Sequence, residues 1–127
     1  MAIQKINQSF GATLKGNYQD IIKLSLQNGL SDKVFKKSLA EIHKVCPNKN
    51  DRVYLYYREM YKFAESGSFN YAGIRSGIKV AKDGKVMELN VNPKQMSLKY
   101  LFPLMALKVK QLVTGKIQPD ETIKLYK

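Results

Sequence analysis

Few residues of this chain have the means for covalent chemistry. His43 and Cys46 stand three positions apart. On a helix that spacing puts them on neighbouring faces, and a Cys–His pair can activate a thiolate nucleophile. Yet Cys46 falls on the apolar side of its segment with Phe35, Leu39 and Ile42, and His43 borders that side. A buried thiol beside a boundary histidine is the expectation, and two ligands do not close a zinc site. Gly67, Gly73 and Gly77 have neither dinucleotide nor P-loop spacing. No spacing brings two titratable groups together as an acid–base pair. The chain is therefore read as a non-enzyme, with no metal and no cofactor.

The segment Pro119-Asp120-Glu121-Thr122-Ile123-Lys124 looks like the acidic-acidic-Lys signature of metal-dependent nucleases. In that family the acids and the Lys sit on paired strands and converge on a metal ion. Here they are compressed into six residues, with two positions between Glu121 and Lys124. A capped turn before a tail strand explains the segment better. The eight tyrosines lack the His-x-His arrangement that tyrosine-using nicking enzymes place near their nucleophile, so they are read as packing and stacking residues.

Binding residues are plentiful. There are 22 Lys and Arg against 10 Asp and Glu, a net charge of +12 over 127 residues. A field of that sign attracts polyanions and speeds association with them. The only arginines are Arg52, Arg58 and Arg75, so phosphate contacts would fall mainly to lysine point charges rather than bidentate forks. A lysine-rich composition drift is the plainer explanation of the same numbers. Three constellations stand out. Tyr54, Arg58 and Lys62, with Arg52 at the start, interleave aromatic rings with cations, a combination that stacks bases and neutralises phosphates. Lys33, Lys36, Lys37 and Lys44 form a strip on one helix face. Lys79, Lys82 and Lys85 surround a tight turn, with Arg75 nearby, and a cationic hairpin can track a nucleic-acid backbone.

The elements that must position these residues follow from pattern. Residues 1–16, with Ile3, Ile6, Phe10 and two glycines, are open to three readings: a short helix, a strand or an irregular N-terminal arm. Helices are expected over 17–29, capped by Asn17 and closed by Gly29-Leu30, and over 31–46, capped by Ser31 and ended by Pro47. A third helix is expected over 51–66, with Val53, Tyr56, Tyr57, Met60, Phe63 and Ala64 inward. The period then changes to two. Asp83-Gly84 predicts a hairpin over 74–91 that pairs Lys82 with Lys85, Val80 with Met87, Lys79 with Glu88 and Ile78 with Leu89. A last helix over 95–114 has Ser97 as internal cap and Pro103 at a kink or in a first turn. Its apolar residues run all round. Leu101, Phe102, Met105, Val109 and Leu112 are thus candidates for the central core or for a subunit interface. The alternating tail 122–127 would extend the hairpin as a strand.

Three helices, a hairpin and an apolar helix in that order resemble a winged-helix DNA-binding domain with an added dimerisation helix. The resemblance implies a recognition helix at 51–66 and a wing at the hairpin. The second helix is longer than in that motif, and Pro47-Asn48-Lys49-Asn50 replaces its tight turn.

The expected fold is α+β, a single domain over 1–127 of four main helices and one hairpin. One cysteine, no apolar leader and a charge-interrupted apolar stretch at 96–113 predict a reducing, cytoplasmic or intravirion setting without a membrane span. The leading functional expectation is a small basic protein that binds DNA or RNA. The alternatives are a structural or assembly protein of a virion or mobile element, packing as a homo-oligomer through the last helix, and an inhibitor or adaptor that sits on an acidic protein surface.

Overall fold

The computed structural model describes residues 11–91 and 97–120. They form strand β1 (Thr13–Gly16), helices α1 (Tyr18–Gln27) and α2 (Asp32–Val45), strands β2 (Arg52–Phe63), β3 (Phe69–Lys82) and β4 (Lys85–Asn90), a 3-10 turn at Leu98–Tyr100 and helix α3 (Leu101–Val113). The strands make one mixed sheet in the order β1-β2-β3-β4. β1 runs parallel to β2 through the α1–α2 crossover, and the other neighbours are antiparallel.

This corrects the expected four helices and one hairpin. Segment 51–66 is not a helix but the long strand β2, paired from Arg52↔Ala81 to Phe63↔Phe69. The winged-helix order falls with it, because the expected recognition helix lies inside a sheet. The turn at Asp83-Gly84 does form, with positive φ at both residues, and all four expected cross-strand pairs are present. They belong, however, to a larger sheet, in which β3 begins as early as Phe69. Within 1–16, Ala12 is buried and Thr13–Gly16 are β1. Residues 1–10 and the tail strand expected over 122–127 lie outside the described residues.

The helices cover one face of the sheet. Val53 and Leu55 of β2 and Ile78 and Val80 of β3 point into the core, where they meet Ile21, Ile22, Phe35, Ile42, Phe102, Met105 and Val109. Alternation sends their sequence neighbours to the opposite face, which no described element covers.

Local chemistry fixes the helix ends. The Ser31 hydroxyl accepts from the Val34 N–H and caps α2. α1 ends with Leu30 N–H donating to the Ser25 carbonyl and Gly29 N–H to that of Leu26, the paired bonds of a Schellman ending. The buried Ser25 hydroxyl then does a second task. It donates to the Leu98 carbonyl and accepts from the Phe102 N–H, satisfying the start of α3 from another helix. Pro103 sits in that first turn, where its missing N–H costs nothing.

Asn17 precedes α1 but does not cap it. Its side-chain amide donates to the Tyr57 carbonyl at 2.6 Å and accepts from the Tyr57 N–H at 2.9 Å, carrying the pairing of β1 with β2 two residues past its last backbone partner, Leu55.

Candidate nucleic-acid interface

The even-numbered residues of β2 form the open face of the sheet. Arg52, Tyr54, Tyr56, Arg58, Met60 and Lys62 alternate with the core-facing row. Register places Lys15 of β1 beside Tyr54, and Lys79, Gly77 and Arg75 of β3 opposite Tyr54, Tyr56 and Arg58. The Lys79 ammonium lies over the Tyr54 ring, 5.0 Å from its centre, within the range of a cation–π contact. Tyr56 lies across Gly77, where a Cβ would stand 2.8 Å from its hydroxyl. A side chain at 77 would therefore displace that ring. Glu88, the cross-strand partner of Lys79, is the only carboxylate on this face among the described strand residues.

Past this platform, β2 and β3 continue alone. Among the described residues β1 pairs no further than Leu55 and β4 no further than Gly77. Arg58–Phe63 and Phe69–Arg75 thus project as a two-stranded arm, roughly 20 Å long at the usual rise per residue. Between Met60/Tyr61 and Gly73/Tyr71 the register shifts, with Ala72 as the extra residue. One face of the arm continues the cationic row with Arg58, Lys62 and Arg75. The other bears Tyr61 opposite Tyr71 and Phe63 opposite Phe69, each pair edge to face with centres 5.7 and 5.2 Å apart. Phe63 and Phe69 are 67% and 69% exposed. A cleft of about 820 Å³ opens at the root of the arm, lined by residues of both faces and of α1, including Asn17, Asp20, Tyr57, Arg58, Glu59 and Arg75.

Comparison with known proteins gave no match: no family model, no curated protein and no solved structure matches this chain.

The candidates read from sequence are thereby sorted. Arg52, Tyr54, Arg58, Lys62, Arg75 and Lys79 come together on one face, although on strands instead of a helix. Lys33, Lys36, Lys37 and Lys44 are exposed on α2, which belongs to the helical layer behind the sheet, and Lys36 pairs with Asp32 at 2.9 Å. Lys82 is turned inward onto buried Asp51 at 3.0 Å, while Lys85 is exposed beside the turn. Leu101, Phe102, Met105, Val109 and Leu112 are all buried in the chain's own core. The structure adds Lys15 and Tyr56 to the open face and the exposed rings of the arm. For Tyr56, Tyr61 and Phe63 the signal was the density of rings from Tyr54 to Phe63, legible once period two replaces period 3.6; Lys15, Phe69 and Tyr71 lie outside that run and join it only through strand pairing.

Cys46 is buried and His43 is half-buried at the end of α2. Burial, with the Asp51 charge adding to it, pushes the thiol from 9.0 up to about 11, and burial lowers the His43 imidazole. Among the described residues no cluster of His, Cys, Asp and Glu could hold a metal ion, and no helix is long and apolar enough to cross a membrane. The two shifts give the fold a pH window. A raised thiol pKa contributes stability that is complete below the unfolded value, near 9, and lost as pH rises towards about 11. A depressed histidine contributes stability above roughly pH 6.5 that is lost as pH falls. Thermal melts across a pH series should show a plateau between those limits. In Cys46→Ala the alkaline decline should start about one pH unit higher, near pH 10 where tyrosines and lysines titrate. An identical alkaline limb in the variant would show that the thiol contributes nothing to it.

Proposed function

We propose that this protein binds nucleic acid on the open face of its sheet, in the cytoplasm or within a virion. The observation that carries the reading is the gathering of Lys15, Arg52, Arg58, Arg75 and Lys79 around Tyr54 and Tyr56, opposed by Glu88 of β4 and by Asp120, whose charge also reaches Tyr56. Cations at this density neutralise phosphates and release counterions, and rings between them offer flat surfaces to bases. A sheet face also holds side chains on a rigid frame at fixed spacing, so binding would order little of the protein.

The double variant Arg58→Ala, Arg75→Ala tests it. Both side chains are exposed, so the fold should persist. The affinity for a labelled oligonucleotide should fall, and the slope of log affinity against log salt should drop by about two. Removing Lys33 and Lys37 from the helical side should change the slope far less. Unchanged affinity in the arginine variant would remove this face from consideration, and an acidic protein partner would become the reading to test.

One observation favours a second reading, that of an assembly protein. Four exposed rings lie side by side at the end of the arm, and contiguous apolar patches of that kind mark contact surfaces. That reading requires an oligomer that dissociates on dilution, which sedimentation would show.

A further inference from the structure

We infer that the arm makes this a binder of unpaired nucleic acid, with Tyr61, Phe63, Phe69 and Tyr71 as its base-stacking surface. The inference rests on the nucleic-acid reading above and adds the class of ligand.

A face built only for duplex needs cations at phosphate spacing and gains little from bare rings, because paired bases present only their edges in the grooves. Unpaired bases offer their faces, and rings that receive them must be open. These are. Tyr61 and Tyr71 are 53% and 58% exposed, and the phenylalanines more so. In each edge-to-face couple one ring face meets the partner's edge, which leaves the other faces of the two rings uncovered by the couple itself. The Tyr61 hydroxyl donates to Glu59 at 3.0 Å, which fixes the ring and occupies the carboxylate on this side of the arm.

Charge names the occupant. The aromatic side of the arm backs directly onto Arg58, Lys62 and Arg75, and the ribbon between them is a single layer thick. The cleft at its root is lined by residues from both sides, among them Arg58 and Arg75 from the cationic side and Tyr57 from the aromatic side. It lies where β1 has ended and where, past the Asn17–Tyr57 bonds, no described strand pairs with the edge of β2. A flexible single strand can follow the cations off the sheet and round that edge onto the rings. A duplex is too stiff for the turn.

The test uses the whole chain with labelled oligothymidylate, oligouridylate and a duplex of matched length. Two double variants, Phe63→Leu with Phe69→Leu and Tyr61→Leu with Tyr71→Leu, keep an apolar strand side chain but remove the ring. Wild type should prefer the single strands to the duplex at equal salt. Each leucine variant should lose roughly tenfold or more in single-strand affinity, with its duplex affinity and salt slope unchanged. Single-strand affinity retained in both leucine variants overturns the inference while leaving the cationic face standing. So does a result in which alanine at these positions abolishes self-association and leucine preserves both it and single-strand affinity, because the apolar bulk of these residues then serves a protein contact and their rings serve nothing. If wild type binds neither strand nor duplex at low salt, the nucleic-acid reading itself fails and this inference with it.

Discussion

Replacing Asp51 with alanine is expected to destabilise the fold by about 3–5 kcal/mol, the usual cost of breaking a buried ion pair from one side. The Asp51 side chain is 3% exposed and its partner Lys82 19%. The same carboxylate oxygen accepts from the Lys82 ammonium at 3.0 Å and the Asn48 N–H at 3.2 Å. Its backbone carbonyl accepts from Thr13, the first residue of β1. One residue thus ties the α2–β2 turn, the edge strand and the end of β3 together. The loss would be a large fraction of the stability of a small domain. Lys82→Met should also destabilise, by taking the ion-pair partner from the buried Asp51 carboxylate. The double variant should cost clearly less than the sum, because neither charge is then stranded. Chemical denaturation of the four proteins gives the cycle. Simple additivity would show that the pair is not coupled. The cycle also settles how Lys82 is to be read, since a lysine committed to an internal carboxylate is not free to meet phosphate.

How much of this was legible in the sequence depends on the range of the forces involved. The C-terminal end of α1 and the start of α2 were, because Gly29-Leu30 and Ser31 act on backbone groups within a few positions, whereas Asn17 serves Tyr57 of β2 and not the start of α1. The register of β3 with β4 was, because a two-residue turn dictates it. β2 was not. Its apolar residues at 53, 56, 57, 60, 63 and 64 fit a helical stripe, and the partners that make it a strand lie far away in sequence. The contrary signal was its density of aromatic residues, Tyr54, Tyr56, Tyr57, Tyr61 and Phe63, which favour the pleated surface of a sheet. The site residues survived the error for a geometric reason. Arg52, Tyr54, Arg58 and Lys62 are all even-numbered, so a strand puts them on one face, and the four-residue steps from Tyr54 to Lys62 kept three of them together on a helix as well. Tyr56 and Met60 did not survive it, and moved from the supposed core to the open face.

The all-round apolar character of α3 was read correctly as burial on several sides, but it does not demand a second subunit. α1, α2 and β3 all pack against it, and Phe102 meets Phe35 with ring centres 5.5 Å apart. The unsatisfied apolar surface lies instead at the arm, where no helical periodicity would have placed it.

Gly16→Ala should cost more than Gly84→Ala by about 1–3 kcal/mol, and the difference isolates what holds β1 in place. The two glycines have nearly the same φ, +79° and +76°. An L side chain in that region costs roughly 1–2 kcal/mol at either site. At Gly84, in the hairpin turn, an added Cβ meets nothing within 4 Å. At Gly16 it would collide with the Leu55 carbonyl oxygen and lie 3.1 Å from the carbonyl carbon. That is backbone, so no rotamer change relieves it, and overpacking of this kind adds a further penalty. The relief available is for β1 to lift from β2 at its end, which would also pull Asn17 off Tyr57 and take Lys15 away from Tyr54. Gly16→Ala should therefore lose amide-exchange protection at Tyr57 as well as stability, whereas Gly84→Ala should leave that amide as it is. Equal losses in the two variants would mean that the close approach to Leu55 does not confine the edge strand, and that Lys15 is free to move relative to the rest of the open face.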